Sequence, residues 1–372
     1  MKRLTGFVLA AVMLLSLAAC GQAQPQTETA KINVVTARQP LSAQKIELPS
    51  KLQGYKNIYL RSFDGENAVF TIDTDDEITG KTVRIVAFDV ETSDITHVVS
   101  LDMPVGKVNS AVKVGDRLYF NIWFADSMTE KLYVNNGLEN ILISEFEVST
   151  MVDYSKLQLI EDKLLYLKNH GSYDNFDYEF FEVNDEELVS VYKHKQEYES
   201  FIEITDYKDG VFTLSEIDLS DKDIIYFNTI KGQDKQTVFS LDGKNGHSFA
   251  KLDNVIIHPV DSIDNSINYK MMAVTDLETK NVTEIGQMHG GFFGNYKNKG
   301  LMYTYNESPE QILLFEAVDD TLTITPLDID VVGKNNHNYF MTENNALLKI
   351  STLDVVDTDW VESGMKLYII EY

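Results

Sequence analysis

Cysteine and basic side chains are both scarce in this 372-residue chain, and so is helical patterning. The one cysteine can form neither an intramolecular disulfide nor a multi-cysteine metal site. The 32 basic side chains stand against 58 acidic ones, a formal charge of −26. Phosphate backbones are bound by basic surfaces, so nucleic acid is not an expected partner. No stretch keeps apolar residues at i, i+3, i+4 and i+7, so long helices are not expected.

Apolar residues, by contrast, are plentiful. They make up 44% of the chain, and aromatic residues make up 11%. A chain of this length and composition buries a large core, and its length fits two or three ordinary domains or one large all-β domain.

The N-terminus has the pattern of an export signal. Met1, Lys2 and Arg3 form a short basic start, and residues 4–17 are almost wholly apolar. A basic start, a short apolar stretch and small residues before a cleavage site are typical of secretory signals. The apolar stretch is shorter than the roughly 20 residues that a membrane-spanning helix needs.

The only cysteine lies at the end of this signal. Leu17-Ala18-Ala19-Cys20 resembles the lipobox of bacterial lipoproteins. The resemblance implies cleavage before Cys20 and a diacylglyceryl thioether on its sulfur, palmitate being a typical acyl group; two or three acyl chains hold a protein on a membrane firmly. An ordinary secretory signal remains the alternative. We therefore expect a signal peptide at 1–19, a lipidated N-terminus and polar, flexible tether at 20–50, and a folded domain at 51–372.

A polar turn followed by an aromatic-rich strand recurs along the folded domain. Successive aromatic anchors lie 50, 46, 46, 91 and 37 residues apart, and the step of 91 fits two periods with a hidden copy near 255–270. The anchors are Phe70, Phe120, Tyr166, Phe212, Tyr303 and Phe340.

A second unit, an apolar strand before a polar turn, occurs seven times with a mean step of about 44 residues. Its copies lie at 85–90, 143–148, 179–183, 238–241, 271–274, 313–318 and 347–350. Segments of this length, rich in Val, Ile, Phe and Tyr, are typical of strands. The pattern predicts an all-β fold, a β-propeller of about seven four-stranded blades, with six or eight blades also compatible.

The apolar run at 365–372 lies beyond the seventh repeat. An unclosed propeller exposes strand edges. We therefore expect this run to complete a blade begun by a strand near 32–35 or 58–60.

Residues 86–93 (Val-Ala-Phe-Asp-Val-Glu-Thr-Ser) resemble the repeats of pyrroloquinoline-quinone-type and YVTN-like propellers, and residues 273–280 do so more loosely. In those repeats an apolar run is followed by Asp and a Thr-Gly turn. The resemblance implies a propeller blade at each position. The family's blade-docking tryptophans are absent, since only Trp123 and Trp360 occur, so no quinone cofactor is expected.

No motif for catalysis, metal binding or cofactor binding is recognisable. The seven histidines are too far apart in sequence for a ligand pair, and the acidic run at 73–77 lacks the glycine of a calcium loop. The glycine-rich run at 290–294 is interpreted as a close approach of strands. Aromatic residues at 173–201 are a candidate recognition surface, with buried strand positions as the alternative.

Together these features predict a lipid-anchored extracytoplasmic propeller that acts as a binding or scaffolding protein at the bacterial cell envelope. Its expected location is the outer face of the cell membrane, and its expected partners are that membrane and a protein or an envelope glycan. Five arginines against 27 lysines suggest an AT-rich, Gram-positive host. One alternative is a glycan-directed hydrolase with acidic residues in the central funnel. Another is a lipoprotein resembling outer-membrane assembly factors.

Overall fold

The structure, a computed structural model, consists of β-strands joined by turns throughout the part of the chain that it describes. No helix within that part is long and apolar enough to cross a membrane. The described residues are 32–53, 58–76, 80–102, 106–124, 126–148, 155–169, 176–196, 200–208, 210–218, 224–242, 249–260, 270–288, 290–304, 310–329, 335–356 and 359–372.

Six consecutive groups of four strands form the first six blades, each an antiparallel sheet in chain order. Blade 1 consists of β3 (Ile58–Phe63), β4 (Asn67–Asp76), β5 (Gly80–Asp89) and β6 (Ile95–Asp102). Blade 2 consists of β7 (Lys107–Val114), β8 (Arg117–Phe124), β9 (Thr129–Asn135) and β10 (Asn140–Glu147). Blade 3 consists of β11 (Lys156–Ile160), β12 (Lys163–Asn169), β13 (Phe176–Asn184) and β14 (Glu187–Gln196). Blade 4 consists of β15 (Ser200–Lys208), β16 (Val211–Asp218), β17 (Ile224–Lys231) and β18 (Asp234–Asp242). Blade 5 consists of β19 (Ala250–Leu252), β20 (Val255–Val260), β21 (Lys270–Asp276) and β22 (Val282–Met288). Blade 6 consists of β23 (Gly290–Tyr296), β24 (Lys299–Thr304), β25 (Ile312–Val318) and β26 (Thr321–Asp328).

Blade 7 combines the two ends of the chain. Its strands are β27 (Asn335–Met341), β28 (Asn345–Val356), β29 (Asp359–Glu371) and, as the outermost strand, β2 (Leu41–Ile46). Ala43 of β2 is the antiparallel partner of Ile370. Strand β1 (Asn33–Thr36) pairs in parallel with β26 and widens blade 6. The predicted all-β propeller is confirmed, with seven blades.

The closing strand and the domain boundary differ from the sequence-based expectation. The C-terminal strand does pair with an N-terminal strand, but the partner is β2, between the two segments that the pattern favoured. Strands β1 and β2 both lie in the segment assigned to a tether, so the propeller begins at Asn33 and not at residue 51. The mixture of polar and apolar residues in Leu41–Ile46 suits the outermost strand of a blade, which is only partly covered.

The first recurring unit coincides with the second strand of the blades. Its anchors Phe70, Phe120, Tyr166 and Phe212 are buried in β4, β8, β12 and β16. In blade 7 the pattern slips by one strand: Phe340 belongs to the first strand, whereas the second strand carries Leu347 and Leu348. The short last step of 37 residues reflects this slip.

The second recurring unit falls on the second, third or fourth strand of a blade. Its copies fall on the third strand in blades 1, 3, 5 and 6, on the fourth strand in blades 2 and 4, and on the second strand in blade 7. The third-strand copies are largely buried between neighbouring blades, whereas the fourth-strand copies in β10 and β18 lie at the outer edge of their blades and stay partly exposed. The period therefore predicted the blade number, but it did not predict the place of each strand.

The two segments that resemble propeller-family repeats, residues 86–93 and 273–280, each contain a turn stabilised by an aspartate. The Asp89 carboxylate accepts hydrogen bonds from the backbone N–H groups of Glu91 (3.0 Å) and Thr92 (2.8 Å). The Asp276 carboxylate accepts the equivalent bonds from Glu278 (2.8 Å) and Thr279 (2.7 Å). Both segments thus form the same turn between the third and fourth strands of a blade, which an Asp side chain stabilises by replacing a backbone acceptor.

The core lies between blades. One cluster joins blades 3 and 4 through Tyr178 and Phe180 on one side and Ile204 and Phe212 on the other. Phe180 and Phe212 stack with ring centroids 5.8 Å apart. Ring stacking and aliphatic burial thus do the docking that tryptophans do in the propeller family cited above.

Candidate ligand site on the propeller axis

The first strands of the blades, called the inner strands here, surround the propeller axis. Inner strands contact one another in succession from β19 through β23, β27, β3 and β7 to β11, and β15 contacts β23 across the axis. They enclose a cavity of about 380 Å³, named the axial cavity. That volume is within the range of small-molecule sites. Its described polar lining side chains include Arg61, Ser62, Asn109, Lys156, Gln158, Thr205, Asn295 and Asn338.

Side-chain hydrogen bonds between inner strands hold this wall together. Gln158 Nε2 donates to the backbone oxygen of Ile204 at 2.8 Å, which links blades 3 and 4. Asn295 Nδ2 donates to the oxygen of Lys251 at 3.0 Å, and other amides make similar links. Within the described ranges the inner strands have a paired strand on one side only, so amide side chains satisfy carbonyls on the open edge.

Asn338 and Arg61 close the wall between blades 7, 1 and 2. Asn338 Nδ2 donates to the oxygen of Leu60 at 3.1 Å. Arg61 donates from Nε to Thr71 Oγ1 at 2.8 Å and from Nη1 to the oxygen of Asn109 at 3.3 Å. The guanidinium is therefore positioned by the fold itself, before any ligand arrives.

A second, wider space lies beside the axial cavity. This space, called the vestibule, has a volume of about 780 Å³ and is lined by turns that follow the inner strands of blades 1, 3, 6 and 7. Tyr296 lines both spaces, so they adjoin. Burial raises the pKa of Tyr296, which keeps its hydroxyl neutral. The vestibule's ionisable side chains other than Tyr296 are Asp64, Glu66, Glu161, Asp162, Lys297 and Glu343.

Lys297 brings two of these carboxylates together. Its Nζ lies 3.0 Å from Glu161 Oε1 and 3.7 Å from Glu343 Oε2. The hydrogen bond to Glu161 raises the pKa of Lys297, so the ammonium stays charged. The vestibule keeps an acidic balance, since five carboxylates and this one ammonium line it within the described part of the chain.

A buried polar network supports the cavity wall between blades 2 and 3. Lys168 Nζ and Asn121 Nδ2 both donate to the Glu130 carboxylate, and the side chains of all three are fully buried. Ser110 Oγ donates to Asn121 and accepts the backbone N–H of Leu157 at 2.7 Å. Because Ser110 and Leu157 both line the cavity, the network sets the spacing of β7 and β11.

The sequence-predicted site residues have different outcomes. Leu17, Ala18, Ala19 and Cys20 lie outside the described residues, so lipidation stays a prediction. Of the histidines, His97 Nε2 contacts Asn135 Oδ1 at 2.6 Å, and His258 is buried. No group of three metal-binding side chains is found in the described ranges. The side chains of the acidic run at 73–77 lie outside them.

Two further interpretations concern aromatic and glycine residues. Tyr178 and Tyr192 belong to the core between blades 3 and 4, so a recognition surface there is wrong for these two. The glycine run does mark a close approach of strands. A Cβ at Gly290 would lie 2.3 Å from the oxygen of Tyr303, and one at Gly294 would overlap the ring of Tyr339.

The sequence pattern did not predict the residues that line the axial cavity. Arg61, Asn109 and Asn338 are single polar residues in short strands, a pattern that exposed strand positions share. Arg61 and Asn109 share a place in the strand before a repeated polar turn, so aligning the repeats on that turn would group these two. Asn338 would not join them, since it lies in the same strand as the anchor Phe340, where the pattern slips by one strand.

Comparison with known proteins supports the fold. No protein-family model and no curated protein matches the sequence. Among solved structures, the propeller domain of the Trilobed protease from Pyrococcus furiosus is similar, with a TM-score of 0.56, 13% identity, and coverage of 86% of this chain and 95% of that one. That domain is described as having an open velcro topology, whereas here β2 pairs with β29.

Two further structures belong to enzymes. The polysaccharide lyase Uly1 has a TM-score of 0.54 at 8% identity, with 94% of both chains covered. The acylaminoacyl peptidase of Pyrococcus horikoshii has a TM-score of 0.54 at 10% identity, covering 87% of this chain but 52% of the peptidase. At such identities the likeness shows the fold alone: this chain is a β-propeller.

Proposed function

We propose that this protein is a membrane-anchored binding protein of the bacterial cell envelope that holds a small polar ligand in its axial cavity. The observation that carries the proposal is the lining of that cavity. Amide and cationic side chains from several blades converge there beside the aromatic residues Phe63, Tyr339 and Phe340. Hydrogen-bond donors beside aromatic rings are the usual composition of a site for polar ligands.

Binding suits the cavity better than hydrolysis does. Glycoside hydrolysis uses a pair of carboxylates at the reacting bond. The side chains that line the axial cavity in the described part of the chain are amides, hydroxyls, cations and apolar groups, and none is a carboxylate.

The binding test compares a cavity-blocking variant with a bulk-matched control. Thr205 is half-buried and lines the cavity, so Thr205→Trp fills it. Val98 is 53% exposed in β6, so Val98→Trp adds an indole at the outer edge of blade 1.

Thermal shifts of the full chain would be measured with a neutral sugar, N-acetylglucosamine, and a neutral peptide, acetyl-trialanine amide, alongside their charged analogues. We expect at least one probe to stabilise the wild type and Val98→Trp but not Thr205→Trp. Stabilisation of all three alike, or of none, would refute binding in the cavity.

The membrane anchor is a separate part of the proposal, supported by the lipobox. Acyl chains on Cys20 would hold the propeller on the extracytoplasmic face of the cell membrane, in a Gram-positive host by the compositional argument. The charge of −26 disfavours direct adhesion to anionic lipid, so the acyl chains would supply the attachment. Metabolic labelling with a palmitate analogue is expected to mark the wild type and to be lost in Cys20→Ser. Label retained in that variant would refute the anchor.

A glycan-directed hydrolase is the second candidate, and the two vestibule carboxylates that contact one ammonium favour it. Lys297 brings Glu161 and Glu343 close to each other, as a pair of catalytic carboxylates requires. Release of reducing ends from cell-wall polysaccharide by the wild type, and its loss in both Glu161→Gln and Glu343→Gln, would favour this candidate. Absence of release would leave binding as the function.

A further inference from the structure

The charges along the propeller axis are separated. The axial cavity has Arg61 and Lys156 as its charged lining residues in the described part of the chain, although the whole protein carries a charge of −26. The adjoining vestibule is acidic, with Lys297 as its only cation within that same part. A ligand that enters from the vestibule therefore passes carboxylates first and reaches cations afterwards.

The cationic end is built into the fold. Arg61 lies over the ring of Tyr59, with its Cζ 5.3 Å from the ring centroid. Lys349 approaches the same ring at 6.0 Å, and its residue is only 3% exposed. Tyr59 thus contacts two cations next to the cavity. An anionic ligand group beside Arg61 would also be attracted by the nearby charge of Lys349.

The acidic end is equally placed by the backbone. Glu161 and Lys297 adopt left-handed φ angles of 55° and 49° in the hairpin turns after their inner strands, and Asp64 precedes Gly65 in the equivalent turn of blade 1. These turns project from the same end of the inner strands because all inner strands run in one direction. The vestibule carboxylates would repel a polyanion and attract a positive group.

We propose that the axial site binds a small zwitterion, with a carboxylate beside Arg61 and Lys156 and an ammonium in the vestibule. This inference rests on the proposed binding function and names its ligand class, of which a free amino acid or a short peptide is the simplest example. The cavity volume of about 380 Å³ accommodates only a ligand of a few residues. A guanidinium recognises a carboxylate through charge-assisted hydrogen bonds, which gives the inner end its specificity.

The test uses calorimetric titration of the full chain with trialanine and three altered forms. Trialanine amide lacks the carboxylate, acetyl-trialanine lacks the ammonium, and acetyl-trialanine amide lacks both. We expect trialanine to bind, and each single alteration to weaken binding at least tenfold. Inorganic phosphate and glucuronate serve as plain anions. Binding of either as tightly as trialanine would overturn the zwitterion in favour of a simple anion site.

Variants locate the carboxylate end. Arg61→Gln should weaken trialanine at least tenfold more than it weakens trialanine amide, and Lys156→Gln should do the same. Arg84→Gln removes the same charge from an exposed position of β5 in the same blade, and it should change neither affinity. Equal losses for the acid and the amide would overturn the assignment of Arg61, since a mere packing defect affects both ligands alike.

The outcomes also separate this inference from the proposed function. Binding of N-acetylglucosamine or acetyl-trialanine amide that Thr205→Trp abolishes, together with no binding of trialanine, would refute the zwitterion but keep the binding function. Absence of binding by every neutral and charged probe would refute both.

Discussion

Gly294 in blade 6 lies directly against the phenol ring of Tyr339 in blade 7. A Cβ at Gly294 would fall 1.6 Å from Cε2 of that ring, far inside any normal contact. Both residues belong to inner strands, so the contact sets the distance between two walls of the axial cavity. Glycine is required here by the close approach of a neighbouring blade.

The first prediction concerns this contact. Gly294→Ala should lower the free energy of unfolding by about 1–3 kcal/mol, because the added methyl forces the ring of Tyr339 to move. Urea denaturation measures the change. Combining it with Tyr339→Ala should cost less than the sum of the two single changes, since removing the ring makes room for the methyl. Strict additivity in that double-mutant cycle would contradict the contact.

The buried ion pair between blades 2 and 3 gives the second prediction. Lys168→Met leaves the fully buried Glu130 carboxylate without its ammonium, so the free energy of unfolding should fall by about 3–5 kcal/mol. The double variant Lys168→Met, Glu130→Leu removes both charges and should be more stable than Lys168→Met alone. Chemical denaturation of the three proteins checks this order. A double variant that is no more stable than Lys168→Met would argue against an uncompensated charge as the cause.

Ring closure by β2 is the basis of the third prediction. A chain that begins at Glu47 lacks β1 and β2, loses the buried side chains of Ile32 and Ile46, and exposes the edge of β29. Each of those side chains contributes about 1.5–3 kcal/mol, and a bare strand edge promotes association. Compared with a chain that begins at Ile32, it should unfold at lower urea concentration and sediment as oligomers. Equal stability and a monomeric state would show that β2 is dispensable for closure.

His258 gives the fourth prediction, on pH. Burial lowers the pKa of this histidine from its ordinary 6.5, and its ring lies between Thr275 Oγ1 (2.8 Å from Nε2) and the oxygen of Pro259 (3.0 Å from Nδ1). The unfolded chain therefore takes up a proton at higher pH than the folded one. The free energy of unfolding contributed by His258 is complete above pH 6.5 and falls as the pH drops below that value.

The measurement compares the wild type with His258→Gln by urea denaturation between about pH 7 and pH 5, above the range in which ordinary carboxyl groups titrate. The wild type should lose more stability over this interval than the variant does. The same slope for both proteins would mean that the histidine is not the group that titrates.

Much of the fold could be predicted because strand period and turn chemistry are local. Phe70, Phe120, Tyr166 and Phe212 recur at nearly the blade length, and each follows a polar turn that reverses the chain. Those side chains are buried because every second strand is covered by a blade on both sides. The blade number followed from the period, even where an individual strand was assigned to the wrong place.

The closing strand could not be predicted with equal accuracy. Leu41–Ile46 contains three polar residues and reads as part of a linker. It forms a strand because β29 offers it an unpaired edge, and that edge exists only after the seventh blade has folded. A partner more than 300 residues away leaves no mark in the local sequence pattern.

The single cysteine and the few basic residues illustrate the same difference between what local sequence determines and what long-range packing determines. The sequence by itself determined the all-β class, the approximate blade number and the expectation that Cys20 is an acylation site, because each depends on residues close together in the chain. The tertiary structure alone decided that Arg61 and Lys156 share one cavity and that five carboxylates line the vestibule together with one lysine. These residues come from different blades, and only the packing of inner strands about a common axis brings their charges together.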